Sequence, residues 1–180
     1  MVIELPKNPK RRFTLVQIKY FYMWYTRQNK KTKDIVYKLI DTSQLELIQG
    51  GWSTNDEACP NYEDIINNMY IGHNFLKREF GVVPKIGWSL GSHGHSVANS
   101  ALYSDMGFDA VFMSPSSSNL TEAGPMTFLW RPFSKHFGNQ KQIRGGWTKN
   151  VFTGSLPLQT DRTLQNYNAE EKAIDLINHV

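Results

Sequence analysis

Short apolar runs alternate along this chain with longer stretches in which apolar residues recur every three or four positions. The short runs, at 13–18, 45–50, 86–90 and 109–113, contain β-branched and aromatic residues, which is typical of strands. The longer stretches have the spacing of helices that bury one face. These helical stretches lie at 19–25, 32–39, 62–80, 97–106 and 169–180.

This order of elements predicts an α/β fold made of repeated βα units. Consecutive βα units give a parallel sheet with right-handed crossovers and with helices outside it. We therefore expect at least four parallel strands, with no antiparallel pairing among them. A further strand is predicted at 127–132, after a polar loop at 114–124, whereas 138–147 shows no regular pattern.

Polar residues follow the second of these strands, at the point where its apolar run ends. Gly50 and Gly51 allow a sharp bend of the backbone, and Trp52, Asp56 and Glu57 come soon after them. Two carboxylates that are adjacent in sequence rarely converge on one bond. We therefore prefer the interpretation that Asp56 or Glu57 caps the next helix, or supports a site, over direct catalysis.

A glycine-rich polar loop follows the third strand and leads into the next helix. It includes Gly91, His93 and His95. The carboxyl ends of parallel strands meet at one edge of a sheet, beside the positive N-termini of the helices, and α/β enzymes place their chemistry in such loops. We expect Trp52, Asp56, Gly91 and His93 to lie on this one face.

The two histidines of this loop, His93 and His95, are spaced so that both could contact one metal ion. A third ligand would have to come from elsewhere, and Asp56, Glu57 and Asp105 are candidates by proximity along the chain. Few motif matches of this kind become ligands. We therefore treat both histidines as weak metal candidates.

Composition and charge narrow the function classes. The 180 residues have a net charge of +4, and much of the excess lies in the basic stretch at 7–12. RNA-binding, zinc-finger and basic-heptad patterns are missing, so nucleic acid is not an expected partner. With one cysteine, Cys59, and no apolar run of 18 residues, neither an internal disulfide nor a membrane span is predicted. The first residues do not form a secretory signal, which predicts a cytosolic chain or a piece of a longer protein.

Two motifs carry a resemblance to a known family. The run from Gly50 to Ala58 reads G-G-W-S-T-N-D-E-A, and the run from Trp88 to Ser96 reads W-S-L-G-S-H-G-H-S. They are similar to G-G-W-x-M-N-D-E-A and to W-H-I-D-P-F-G-H-S of the class II α-mannosidases of lysosomal and Golgi type. Shorter similar segments make the resemblance extend from about residue 9 to the C-terminus.

The resemblance implies that residues 1–180 are a single partial domain, a central slice of the barrel-like N-terminal α/β domain of a glycoside hydrolase. The family is retaining and zinc-dependent, and it acts on mannose-containing glycans in the lysosome or the lumen of the secretory pathway. Its nucleophilic aspartate, also a zinc ligand, falls on Gly91, and a phenylalanine that lines its sugar site falls on His93. The acid/base and the remaining zinc ligands lie outside these 180 residues. The resemblance therefore implies that this chain has no intact catalytic set and binds no zinc by itself.

Two other hypotheses remain open. A non-catalytic relative would keep contact with glycans through Trp52, His93 or Trp130. A basic domain would instead bind anionic partners through the stretch at 7–12. A slice of a barrel would also leave open sheet edges and an uncovered face, so poor solubility of the isolated chain is expected.

Overall fold

Strands and helices alternate through the part of the chain that the computed structural model describes, which is residues 1–89, 94–114 and 127–148. The helix predicted at 169–180 lies outside these residues, as does most of the loop predicted at 114–124. The strands are β1 (Phe13–Leu15), β2 (Leu45–Leu47), β3 (Ile86–Ser89), β4 (Ala110–Met113), β5 (Thr127–Trp130) and β6 (Ile143–Trp147). The helices are α1 (Ile18–Tyr25), α2 (Lys30–Asp41), α3 (Tyr62–Phe80), α4 (Val97–Asp105) and α5 (Ser134–Phe137).

The longest helix, α3, begins and ends where the sequence pattern predicts. Glu63 and Asp64 lie in its first turn and Lys77 and Arg78 in its last, so these charges complement the helix dipole at both ends. Gly81 ends the helix in the left-handed conformation, at φ 69°, where a side chain would be strained. In the described part of the chain, neither α3 nor any other helix is long and apolar enough to cross a bilayer.

The described strands form two sheets. In the first, β1 pairs in parallel with β2, and Phe13 lies opposite Leu45. In the second the order is β3-β4-β6-β5, where β3, β4 and β6 are parallel and β5 is antiparallel to β6. The predicted parallel pairing is confirmed for β1 with β2 and for β3 with β4. These described strands form open sheets and close no barrel.

The prediction that 138–147 has no regular element is wrong, because its second half forms β6 between β4 and β5. The strand escapes pattern analysis because Arg144, Gly145 and Gly146 interrupt the apolar alternation. A Cβ atom on Gly145 would overlap the ring of Phe128 on β5. Glycine at this position therefore reflects the close approach of a neighbouring side chain within the sheet.

Gln49 joins the two sheets. Its backbone is left-handed, at φ 56°, and its N–H donates to the carbonyl of Ile86 at 2.7 Å. Its side-chain oxygen accepts from the N–H of Trp88 at 2.5 Å, and its side-chain NH₂ donates to the hydroxyl of Tyr103 at 2.8 Å. These bonds take the place of a strand ladder between β2 and β3. They hold the segment that follows β2 beside β3.

Two hydrophobic clusters make the core of the described residues. The first packs α1 and α2 around β2 and includes Ile18 and Leu76, both fully buried. The second packs α3 and α4 onto one face of β4 and β6 and includes Met69, Tyr103 and Val111. Each fully buried aliphatic side chain contributes about 1.5–3 kcal/mol relative to its exposed state. Since α3 supplies Leu76 to one cluster and Met69 to the other, this helix links the two.

In the part of the chain that the structure describes, no element covers the other face of the four-stranded sheet. Phe112 on β4 and Leu129 on β5 are 38% and 49% exposed. Together with Arg144 they line a depression of about 710 Å³. Exposed apolar side chains on a broad surface favour association. The expected poor solubility of the isolated chain stays a prediction, and this face is its structural basis.

Candidate functional site

The turn after β2 rests on a glycine of α3. Gly50 is left-handed, at φ 78°, and a Cβ atom on Gly72 would overlap the carbonyl oxygen of Gly50. The N–H of Trp52 donates to the carbonyl of Asn68 on α3 at 3.0 Å, and the side-chain oxygen of Asn68 accepts from the N–H of Ser53 at 2.8 Å. So close an approach of the two backbones requires residues without side chains. It anchors the start of the loop that carries Asp56 and Glu57.

Glu57 lies at the carboxyl end of β3, with only 6% of its side chain exposed. One carboxylate oxygen accepts from the N–H of Ser96 at 2.5 Å. The other accepts from the hydroxyl of Ser89 and lies 3.4 Å from Nδ1 of His95. Ser89 ends β3 and Ser96 is the N-cap residue of α4. Glu57 therefore holds both flanks of the glycine-rich loop, whose residues 90–93 lie outside the described part of the chain.

Glu57 meets a different helix from the one that the sequence predicts. The pattern predicts that Asp56 or Glu57 caps the next helix, α3, but the residue at the N-terminus of α3 is Asn61, and Glu57 contacts the N-terminus of α4. A carboxylate is favoured there by the helix dipole and by the unpaired N–H groups of the first turn. Asp56 is exposed, and its side chain accepts from the N–H of Ala58 at 2.8 Å, which closes a turn.

His95 connects this carboxylate to the end of β4. Its Nδ1 faces Glu57, its Nε2 lies 2.7 Å from the carbonyl oxygen of Ser114, and 8% of its side chain is exposed. Burial lowers the pKa of His95, but the hydrogen bonds with Glu57 and the Ser114 carbonyl outweigh burial and raise it above the ordinary value. The loops after β2, β3 and β4 thus meet at one point. The residues of this Glu57 cluster are Glu57, Ser89, His95, Ser96 and Ser114.

A second polar network ties the same loop to α4. The side-chain NH₂ of Asn55 donates to the side-chain oxygen of Asn99 at 2.7 Å and to the hydroxyl of Tyr103 at 3.0 Å. The NH₂ of Gln49 donates to the same hydroxyl, and burial raises the pKa of Tyr103. Sequence reasoning missed Asn99 and Tyr103. The signal available was the polarity of α4 at inward positions, where Asn99 and Ser100 are buried.

The structure does not bring the two predicted tryptophans to the Glu57 cluster. The ring of Trp52 lies 5.1 Å from that of Tyr22 on α1 and borders a groove between α1 and α3. Trp130 is opposite Ile143, at the amino end of β6. That is the edge of the sheet away from the cluster. Gly91 and His93 lie outside the described residues, so their place on the same face as Asp56 stays a prediction.

Comparison with known proteins decides the family. Residues 1–180 match the glycosyl hydrolases family 38 N-terminal domain. The chain belongs to this family. It is 35% identical to the lysosomal alpha-mannosidase of Dictyostelium discoideum, over 92% of this chain and 18% of that protein. It is 31% identical to an alpha-mannosidase of Canavalia ensiformis, over 96% of this chain and 19% of that protein.

The fold of the family 38 domain is shared with a solved structure. An alpha-mannosidase from Enterococcus faecalis V583 has a TM-score of 0.65 to this chain at 16% identity, covering 98% of this chain and 20% of that one. At that identity the likeness concerns the fold alone. The chain spans about a fifth of the length of the proteins that it matches.

The described residues of the family 38 domain do not form a zinc site. Both ring nitrogens of His95 are engaged in hydrogen bonds, one with Glu57 and one with the Ser114 carbonyl. Neither nitrogen of this weak metal candidate is therefore free to bind a metal ion. Within the described ranges, no three His, Cys, Asp or Glu side chains come together as a metal site would require. His93 lies outside those ranges. The expectation that this chain binds no zinc by itself stays a prediction.

We expect the contribution of His95 to stability to fall as pH rises. Because the pKa of His95 is raised in the folded state, its protonated ring stabilises the fold below the unfolded pKa of about 6.5. That contribution is lost as pH rises through the higher folded pKa. Among the described residues, Glu57 is the charged group that faces the ring, and Trp147 packs beside the ring at 6.0 Å. Urea unfolding of wild type and His95→Gln at a series of pH values should show a difference in unfolding free energy that shrinks with rising pH.

The exposed residue His136 provides the control for this experiment. The variant His136→Gln should follow the wild type at every pH, because its side chain is exposed and makes no ion pair within the described residues. A difference between wild type and His95→Gln that stays constant, or that grows with pH, would contradict the assigned role of the Glu57–His95 contact.

Proposed function

We propose that this chain is an α-mannosidase-like segment of a glycoside hydrolase whose family activity is hydrolysis of α-mannosides in glycans, and that the chain is inactive by itself. The family match over residues 1–180 carries the proposal, and relatives named alpha-mannosidase support it. Since the chain spans about a fifth of those relatives, hydrolysis would belong to a longer protein. Relatives named lysosomal favour the lysosome or the secretory lumen as its location.

The position that we assign to the nucleophile holds Gly91. A retaining glycosidase uses two carboxyl groups roughly 5 Å apart, one of which attacks the anomeric carbon and forms a covalent intermediate. Glycine has no side chain, so it supplies neither that carboxylate nor a zinc ligand. The assignment is supported by the frame around it, in which Trp88, Gly94, His95 and Ser96 keep the family residues. The glycine-rich loop therefore keeps its flanks and loses its reactive group.

The structure gives the two adjacent carboxylates, Asp56 and Glu57, different surroundings. Glu57 is buried, and its oxygens are engaged by Ser89, His95 and Ser96, so it acts as a structural anchor. Asp56 is exposed and closes a turn with Ala58. Glu57 is therefore assigned to positioning the loop, and Asp56 stays a candidate for contact with substrate hydroxyls.

We expect no hydrolysis of an aryl α-mannoside by this chain, and none by its Gly91→Asp variant. Restoring an aspartate supplies one of the two carboxyl groups that the reaction requires and one of about four ligands that zinc requires. The measurement is the release of p-nitrophenol with zinc added, against a heat-killed sample, together with metal analysis of the purified protein. Rates of both proteins should equal that of the heat-killed sample.

Turnover by the wild type above the heat-killed control would overturn the proposal of inactivity. Stoichiometric, tightly bound zinc would overturn the proposal that this chain binds none. In either case the first residues to replace would be His93, His95 and Asp56, since these are the nearest candidates along the chain for a rebuilt site.

The basic N-terminal stretch gives less support to an anion-binding function. The ammonium of Lys7 and the guanidinium of Arg11 lie 2.6 Å and 3.0 Å from the carboxylate of Glu4. A guanidinium N–H of Arg12 donates to the carbonyl of Pro9. Part of the local positive charge is therefore already paired. Salt-sensitive retention of the chain on a polyanion would still favour this second hypothesis.

A further inference from the structure

A groove between α1 and α3 has walls of aromatic side chains. Its volume is about 570 Å³, within the range of about 300–1,000 Å³ found for small-molecule sites. The ring of Tyr22 lies 5.1 Å from that of Trp52 and 5.1 Å from that of Phe75. Tyr70 on α3 adds a further ring and is 65% exposed. Aromatic rings with an apolar body and a polar tip, set in a concave surface, suit a flat ligand that is apolar on its face and polar at its rim.

Positive charge lies at the end of this groove where α3 ends. The ammonium of Lys33 is 4.9 Å above the ring of Tyr25, and Arg78 lies in the last turn of α3. Within the described residues, neither cation has a carboxylate at salt-bridge distance. The carboxylate of Glu79 also lines the groove, where it accepts from the hydroxyls of Tyr25 at 2.7 Å and Tyr37 at 3.1 Å. Lys33 and Arg78 against Glu79 leave one positive charge in excess among the charged residues that line the groove, which favours an anionic ligand.

We propose that this groove binds a saccharide that carries an anionic group, with the sugar ring against the aromatic wall and the anion at Lys33 and Arg78. Thr26 and Asn74 also line the groove and offer hydrogen bonds to sugar hydroxyls. The groove shares no residue with the Glu57 cluster. The proposal therefore goes beyond hydrolysis of α-mannosides and does not depend on it.

Equilibrium dialysis of the wild-type chain against three probes tests the proposal: mannose 6-phosphate, mannose and inorganic phosphate. A low protein concentration limits association through the open sheet face. If the aromatic wall and the two cations both contribute, mannose 6-phosphate should bind at least about tenfold more tightly than mannose or inorganic phosphate, a difference of about 1.4 kcal/mol. No hydrolysis is required, so the result is independent of the mannosidase assay.

Matched variants assign any binding to the groove. Tyr70→Ala and Lys33→Gln should each weaken binding of mannose 6-phosphate about tenfold, since the first removes one ring of the aromatic wall and the second removes one of the two cations. Tyr62→Ala and Lys77→Gln are the controls, because these exposed residues lie on α3 but do not line the groove. Both controls should bind as the wild type does.

Four outcomes would overturn the proposal. These are no measurable binding of mannose 6-phosphate, equal binding of mannose, equal binding of inorganic phosphate, and binding that Tyr70→Ala and Lys33→Gln leave unchanged. The first outcome would show that the groove binds no anionic saccharide of this kind. The second and third would reduce the groove to a neutral-sugar site or a simple anion site.

Discussion

Replacing Glu57 by alanine is expected to lower the free energy of unfolding by about 3–5 kcal/mol, the usual cost of breaking a buried charged contact. The substitution removes the acceptor for the N–H of Ser96 and for the hydroxyl of Ser89, and it leaves His95 without its carboxylate. Buried donors without partners are costly. The loss should be visible in urea unfolding as a lower midpoint with an unchanged slope.

Two further variants identify the cause of that loss. Glu57→Gln keeps an acceptor for the N–H of Ser96 and loses the charge, so its loss should be smaller than that of Glu57→Ala. Asp56→Asn changes the neighbouring carboxylate, which is exposed, and keeps the acceptor for Ala58. It should stay within about 0.5 kcal/mol of the wild type. Equal losses in Glu57→Ala and Asp56→Asn would mean that Glu57 does not anchor the loop.

Replacing Gly72 by alanine is expected to lower the free energy of unfolding by about 3 kcal/mol, the upper end of the usual overpacking range. In a free helix the same change would add about 1 kcal/mol of stability. The sign of the change in unfolding free energy therefore distinguishes a free helix position from one in contact with the turn. The added Cβ would overlap the carbonyl oxygen of Gly50. That oxygen belongs to the backbone of the tight turn before Trp52, so it cannot move aside as the end of a flexible side chain could. The turn or α3 would have to shift.

Asn67 and Gly81 provide the comparisons for this result. Asn67→Ala, at an exposed position of α3, should be neutral or slightly stabilising, because alanine is the better helix former. Gly81→Ala meets no atom within 4 Å but has a left-handed backbone, at φ 69°, and should cost about 1 kcal/mol. Thermal unfolding should give the highest midpoint for Asn67→Ala, a lower one for Gly81→Ala and the lowest for Gly72→Ala. A Gly72→Ala protein as stable as Asn67→Ala would show that the turn does not rest on α3.

The helix α3 shows how far pattern reasoning reaches in this protein. Its apolar spacing, its charged ends and the glycine that follows it are all local signals, and they predict Tyr62–Phe80 without error. Strand β6 shows the opposite case. Its Gly145 is required by the ring of Phe128, which is a contact between strands and leaves no periodic trace in the sequence. Local signals thus predict the helices better than they predict the middle of the sheet.

The candidate site was predictable as a region and not as a set of contacts. Loops at the carboxyl ends of parallel strands had to converge, and the preference for a supporting role of Asp56 or Glu57 follows from their adjacency. Which helix Glu57 would meet depends on the packing of α4 beside the loop after β2. The hydrogen bonds of Asn99 and Tyr103 with Asn55 depend on the same packing. Side chains so far apart in sequence are brought together by the tertiary fold alone.

The joint at Gln49 has a consequence for cooperativity. Local opening free energies in a protein can differ between contiguous units that exchange their amide hydrogens together. The two core clusters are such candidate units, since each packs its own sheet and helices. They are coupled by the hydrogen bonds of Gln49 across to β3, by the helix α3, which contributes to both, and by the contacts of Asn55 and Glu57 in the loop after β2 with β3 and α4. The cooperativity of the described fold therefore depends on one long helix and on polar contacts made by the segment that follows β2.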